Sequence, residues 1–150
     1  MHICSNFRCS LALISGLSVL VCATGCGSNV PFDFVPVHGK VTYEDGSRID
    51  ADRILLTFNP IISGEMGKTV PPGGQTSVNV QDGTFSGVSS HRANDGLAVG
   101  RHKVVIVSFK KGAAAPSSAV PSIYNKESST PLEVEVNSPD QLLDLKIRKK

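Results

Sequence analysis

Along most of the chain apolar and polar side chains alternate one by one, which is the period of a strand with one wet face. Val37, Gly39, Val41 and Tyr43 fall on one side, with His38, Lys40 and Thr42 on the other. Asp45 and Gly46 follow as a tight turn, because Gly reaches positive φ without steric cost. Ile54, Leu56 and Phe58 line one face of the next strand, which Pro60 stops. A long segment then runs to Gly74, closing on Pro71, Pro72, Gly73 and Gly74; loops of that length are uncommon in compact domains and often functional or disordered. Around Asp82 and Gly83 the flanks SVNVQ and TFSGV predict a hairpin, with Gln81 opposite Thr84 and Val80 opposite Phe85. Residues 101–109, RHKVVIVSF, are β-branched and apolar on both faces, which predicts a central strand covered on both sides. Leu132, Val134 and Val136 against Glu133 and Glu135 give another strand, and Leu143, Leu145 and Ile147 against Asp144, Lys146 and Arg148 the last. No stretch carries a helical period. The expectation is an all-β, two-sheet sandwich of about seven strands over residues 37–150.

The beginning of the chain follows a different pattern. Arg8 is the only side chain of firm positive charge before an uncharged run, Leu11 to Ala23, which is too short for the roughly 20 apolar residues of a spanning helix. It has the length of a signal-peptide apolar region and ends in small residues. All 4 cysteines lie here: Cys4, Cys9, Cys22 and Cys26. Ala23, Thr24, Gly25 and Cys26 resemble the lipobox of bacterial lipoproteins, with Ala23 where Leu is usual, and bulky Val21 makes Cys22 a poor rival. Residues 1–25 are therefore expected to be a signal peptide, cleaved between Gly25 and Cys26, with Cys26 acylated. The alternative is an ordinary secretory signal cut near Ala23 or Gly25, which leaves a free thiol. Several alkyl chains at about 0.8 kcal/mol per buried methylene make an effectively permanent membrane anchor, whereas one chain binds marginally. Residues 26–36, with Pro31 and Pro36, read as a lipidated start and spacer. Gly27 is not the Asp that commonly retains such proteins at an inner membrane, which favours an outer-membrane address in a two-membrane envelope.

Composition narrows the partners. The 15 Lys and Arg, less Arg8, face 13 acids, so the mature surface is nearly neutral and offers no excess for phosphate; nucleic acid is not an expected partner. With no cysteine after Cys26 no internal disulfide can form, and without Trp the core rests on Val, Ile, Leu and Phe.

The order of these segments is informative. VHGKVTYEDG, ILLTFNP, VQDGTFSG, VGRHKVVIV, VPSIYNKESSTPLEVEV and the closing strand resemble the small planctomycete-type lipoproteins with a carboxypeptidase regulatory-like, or transthyretin-like, domain. The resemblance runs from about Val37 onward and implies a prealbumin-type sandwich with no established biochemical activity. Ala98 and Val99 replace the usual prolines before Gly100, and His102 stands where Tyr is usual.

Candidate chemistry is sparse. His38, His91 and His102 lack metal-ligand spacing and are expected to be structural or solvent-exposed; Asp45, Asp50 and Asp52 lack the full oxygen cage of a calcium loop, so turn and cap roles are expected of them. Ser89, Ser90, His91 and Asp95 contain triad residue types but no strained nucleophile turn, and read as a polar loop. Lys146, Arg148, Lys149 and Lys150 make a basic end, able to touch anionic headgroups or a polyanionic polymer but more simply a solvated strand terminus. Lys110 to Ser118 read as a flexible connection, and Ile61, Ile62 and Met66 are the apolar candidates for a partner contact. A hydroxyisourate hydrolase of the transthyretin-related type ends in Tyr-Arg-Gly-Ser, whereas this chain ends Ile147, Arg148, Lys149, Lys150. The expected function is that of a noncatalytic, membrane-anchored envelope lipoprotein, needing no cofactor or metal, whose sandwich meets an envelope protein or glycan. A carbohydrate-binding module is the alternative; its weakness is the absence of Trp and the placing of Tyr43 and Tyr124 in separate segments.

Overall fold

The computed structural model describes residues 31–62 and 69–149. In them nine strands follow one another: β1 (Phe34–Val35), β2 (Val37–Tyr43), β3 (Arg53–Pro60), β4 (Gly74–Val78), β5 (Thr84–Phe85), β6 (Leu97–Ala98), β7 (Gly100–Phe109), β8 (Glu133–Val136) and β9 (Gln141–Ile147). Among the described residues the only helical turn is a 3-10 turn at Ser122–Asn125. A four-stranded sheet runs β4-β3-β7-β8 and a three-stranded sheet runs β5-β2-β9, while β1 pairs with β6. Every pairing is antiparallel except β2 with β9, whose register runs from Val37↔Gln141 to Tyr43↔Ile147.

The two main sheets bury one shared cluster, the arrangement of a β-sandwich. β2 contributes Val37, Val41 and Tyr43, β9 Leu143, Leu145 and Ile147; Ile54, Leu56 and Phe58 face them from β3, and Val104 and Ile106 from β7. Each such side chain contributes roughly 1.5–3 kcal/mol by leaving water. Phe58 and Phe85 meet across the layers with centroids 6.0 Å apart and planes tilted by 46°. That contact explains Gly39: a Cβ there would overlap the Leu143 carbonyl oxygen and lie 2.7 Å from the Phe85 ring.

Several expectations change. Val80 and Phe85 do not pair in a hairpin, because β4 joins β3 in one sheet and β5 joins β2 in the other. The turn between them is an arch across the sandwich. Asn79 N–H donates to the Thr84 carbonyl at 2.8 Å, Gly83 N–H donates back to the Asn79 carbonyl at 2.8 Å, and Val41 N–H binds the Gly83 carbonyl from β2. Asp82 Oδ1 accepts the Thr84 hydroxyl at 2.7 Å and its N–H at 2.9 Å. Those bonds hold the Asp82 carboxyl below the usual carboxylate range, the hydroxyl being the larger cause.

β7 is central and partly covered on its outer side too: His102, Val104, Ile106 and Ser108 are buried on its inner side and Val105 on its outer side, whereas Lys103, Val107 and Phe109 remain half-exposed. Thr42, expected outward, is buried. The stretch expected as spacer up to residue 36 already belongs to the fold, since the compact unit begins at Pro31 and Phe34–Val35 pair with Leu97–Ala98. Two-residue pairings of this kind raise the strand count from about seven to nine.

Candidate functional site

Cys26 and Gly25, the expected lipidation and cleavage positions, lie outside the described residues. What the structure describes is how the chain enters the sandwich just after them. Phe34 and Val35 sit against Ala98 and Leu97 in register, Val99 N–H donates to the Asp33 carbonyl at 3.0 Å, and Asp140 N–H donates to the Pro36 carbonyl at 2.8 Å. Phe34 stacks on the His91 ring, centroids 6.3 Å apart and planes 19° from parallel. Gly96 makes the clasp feasible: at φ +92° it admits the Val35 carbonyl oxygen into the space a Cβ would fill.

The loop that builds this clasp contains the triad-like residues, and their geometry is structural. Asp95 accepts N–H groups from Ser90 at 2.8 Å, His91 at 3.1 Å and Arg92 at 2.7 Å. Partial burial opposes ionisation of Asp95, but the three N–H dipoles outweigh it and hold the carboxyl below its usual range. Ser90 donates its hydroxyl to the Gly96 carbonyl at 2.7 Å, and Ser89 Oγ accepts Asn94 N–H at 3.0 Å. Both hydroxyls and the carboxylate are thereby committed to the turn.

His102 lies beneath the same clasp, 1% exposed. Its Nε2 is 2.7 Å from the Ala98 carbonyl, which can only accept, so Nε2 carries the proton. Nδ1 is buried and has no hydrogen-bond partner among the described residues. Burial pushes the imidazole pKa down and the Ala98 carbonyl pulls it up less strongly, so the ring is neutral in the folded protein at pH 7.

The opposite end of the β2–β9 ladder, about 20 Å away, is electrostatic. Glu44 pairs with Arg148 and Asp45 with Lys149, while Lys146 pairs with Asp144. The Lys149 ammonium, with Ser47 assisting, holds the Asp45 carboxyl well below the usual carboxylate range, and the same ammonium lies 5.1 Å from the Tyr43 ring centroid. The basic end is thus largely internally neutralised; Lys150 lies outside the described residues. Asp50 pairs with Lys110, and Asp52 accepts Lys111 N–H at 2.9 Å, so neither acid is arranged around an ion with Asp45. Among the described residues no group of His, Cys, Asp or Glu could hold a metal ion.

Several depressions mark the surface, among them two beside β9. A shallow depression of about 760 Å³ lies over the outer side of β2, β5 and β9, bordered by His38, Lys40, Thr84, Leu142 and Asp144. A cleft of about 540 Å³ lies beside the C-terminal half of β9, floored by Ile123, Tyr124, Pro131 and Leu132. Neither tyrosine offers a ring for sugar stacking: Tyr43 is 9% and Tyr124 4% exposed, with the Tyr43 hydroxyl donating to the Ala119 carbonyl and the Tyr124 hydroxyl accepting Arg148 N–H. Of the apolar partner candidates, Ile62 is exposed, Ile61 half-buried, and Met66 outside the described residues. Lys110–Ser118 is less loose than expected, since Ser117 N–H and Oγ both bond Ser108.

Sequence reasoning missed the clasp, whose signal was Gly96 after an Asx-type loop. No protein-family model matches the chain, and neither do curated proteins or solved structures.

Proposed function

We propose that the protein is a noncatalytic, membrane-anchored envelope lipoprotein, with Cys26 as the acylated residue and a prealbumin-type sandwich as a structural or protein-interaction module. The observation that carries the reading is the clasp. The fold begins at Pro31, a few residues beyond Cys26, and grips the chain at Phe34–Val35 before the first long strand. A short lead and a gripped first strand suit a domain held close to a surface. The strand orders β4-β3-β7-β8 and β5-β2-β9, with β2 and β9 parallel, support the prealbumin-type reading. The polar residues that resembled a catalytic set are bonded within their own loop, which supports a noncatalytic role.

Metabolic labelling of cells with a clickable fatty acid tests the anchor. The full chain takes the label and the Cys26→Ser variant does not; label retained in the variant refutes acylation at Cys26.

A further inference from the structure

β9 is a long edge strand, since β2 flanks it on one side and no described strand flanks it on the other. The orientation of its backbone follows from two bonds. The Ile147 carbonyl accepts Glu44 N–H at 2.9 Å on the β2 side, and Arg148 N–H donates to the Tyr124 hydroxyl at 3.1 Å on the far side. Alternate residues of a strand send their N–H and C=O to opposite edges. Leu143 and Leu145 therefore bond β2 like Ile147, and Leu142, Asp144 and Lys146 present their backbone groups to the open edge. Leu142 is 67% exposed, and the Asp144 and Lys146 side chains are about half-exposed, at 55% and 54%.

Charges on an edge strand ordinarily repel an added strand. Here they alternate in sign two residues apart, and that spacing is self-complementary. An antiparallel second β9 can sit with Asp144 opposite Lys146 and Lys146 opposite Asp144, each pair exchanging both backbone hydrogen bonds. The adjacent registers put Asp144 on Asp144 or Lys146 on Lys146 and are disfavoured. Tyr124, bonded at Arg148, marks where the pairing stops, and the cleft beside Lys146 leaves the edge approachable.

We propose that a second copy of this chain docks along the β9 edge in that register, joining the two three-stranded sheets into one continuous sheet across a two-fold axis. In the single chain Asp144 and Lys146 pair with each other at 3.2 Å; in the dimer the four charges form an alternating quartet. The assignment does not depend on acylation of Cys26.

Sedimentation of the purified full chain in detergent tests it. The wild type forms a concentration-dependent dimer, and Asp144→Lys and Lys146→Asp each weaken it about tenfold or more by setting like charges opposite. Mixing the two variants restores dimerisation, because the paired lysines on the edge of one chain then face the paired aspartates on the edge of the other. Both side chains are exposed, so unchanged melting of the variants separates lost pairing from lost folding. A wild type monomeric up to about 100 μM, a Kd above that range, overturns the proposal. So does association that survives both single variants, which would locate the contact in the acyl chains or another face, or a mixture that stays monomeric.

Discussion

The two ends of the β2–β9 ladder are held by different physics. At the Val37 end a short strand pair, a ring stack and a carboxylate gripping three N–H groups enclose the chain, with buried His102 below. At the Tyr43 end the closing contacts are ion pairs between exposed side chains, Glu44 with Arg148 and Asp45 with Lys149. Burial makes the first set sensitive to volume and protonation. Solvent screening makes the second set nearly free of energetic consequence.

The largest expected effect separates the ends sterically. Gly96→Val places a branched side chain where the Val35 carbonyl stands and at a φ of +92°, so the clasp must open. Urea unfolding of the variant is expected to show a loss of about 3 kcal/mol or more; a loss under about 1 kcal/mol would mean the clasp contributes little. The second effect uses acid. His102 titrates at its ordinary 6.5 when unfolded and lower when folded, so the unfolded state binds the extra proton first. Stability is then complete above about pH 6.5 and falls as the pH drops from there toward the folded pKa. Between pH 7.5 and 5 the wild type is expected to lose more stability than His102→Leu, by up to about 2 kcal/mol, the ceiling set by the span from pH 6.5 to 5; equal losses in the two proteins would remove His102 as the cause. Asp45, held below the usual range, stays ionised through that interval and does not share the slope. The smallest effect is Arg148→Ala, expected to leave the melting temperature within measurement error at both low and high salt; a clear salt-dependent drop would show that the Tyr43 end is stronger than exposure implies.

What could be read from sequence divides by the range of the interaction. Ile54, Leu56 and Phe58, or Leu143, Leu145 and Ile147, announce their strands because alternation is a local property that the sandwich simply buries. Asp82–Gly83 misled because a Gly at φ +78° serves an arch between sheets as well as a hairpin within one; the choice is made by β2 and β3, far away in sequence. Phe34–Val35 carry too little pattern beside Pro31 and Pro36 to be distinguished from spacer. Asp45 was legible as a turn residue and Asp95 as part of a polar loop, whereas the burial of His102 depended on its place on β7 between Pro60 and Val134.

The parallel alignment of β2 and β9 has a mechanical consequence. A pull applied at the Val37 end of β2 and at the Ile147 end of β9 acts along both strands, so their ladder bonds, from Val37↔Gln141 to Tyr43↔Ile147, are loaded together in shear. An antiparallel pair pulled from adjacent ends would instead unzip one bond after another. A domain leashed at its amino-terminal side and gripped at the far end of β9 would therefore resist as a single clamp and yield abruptly.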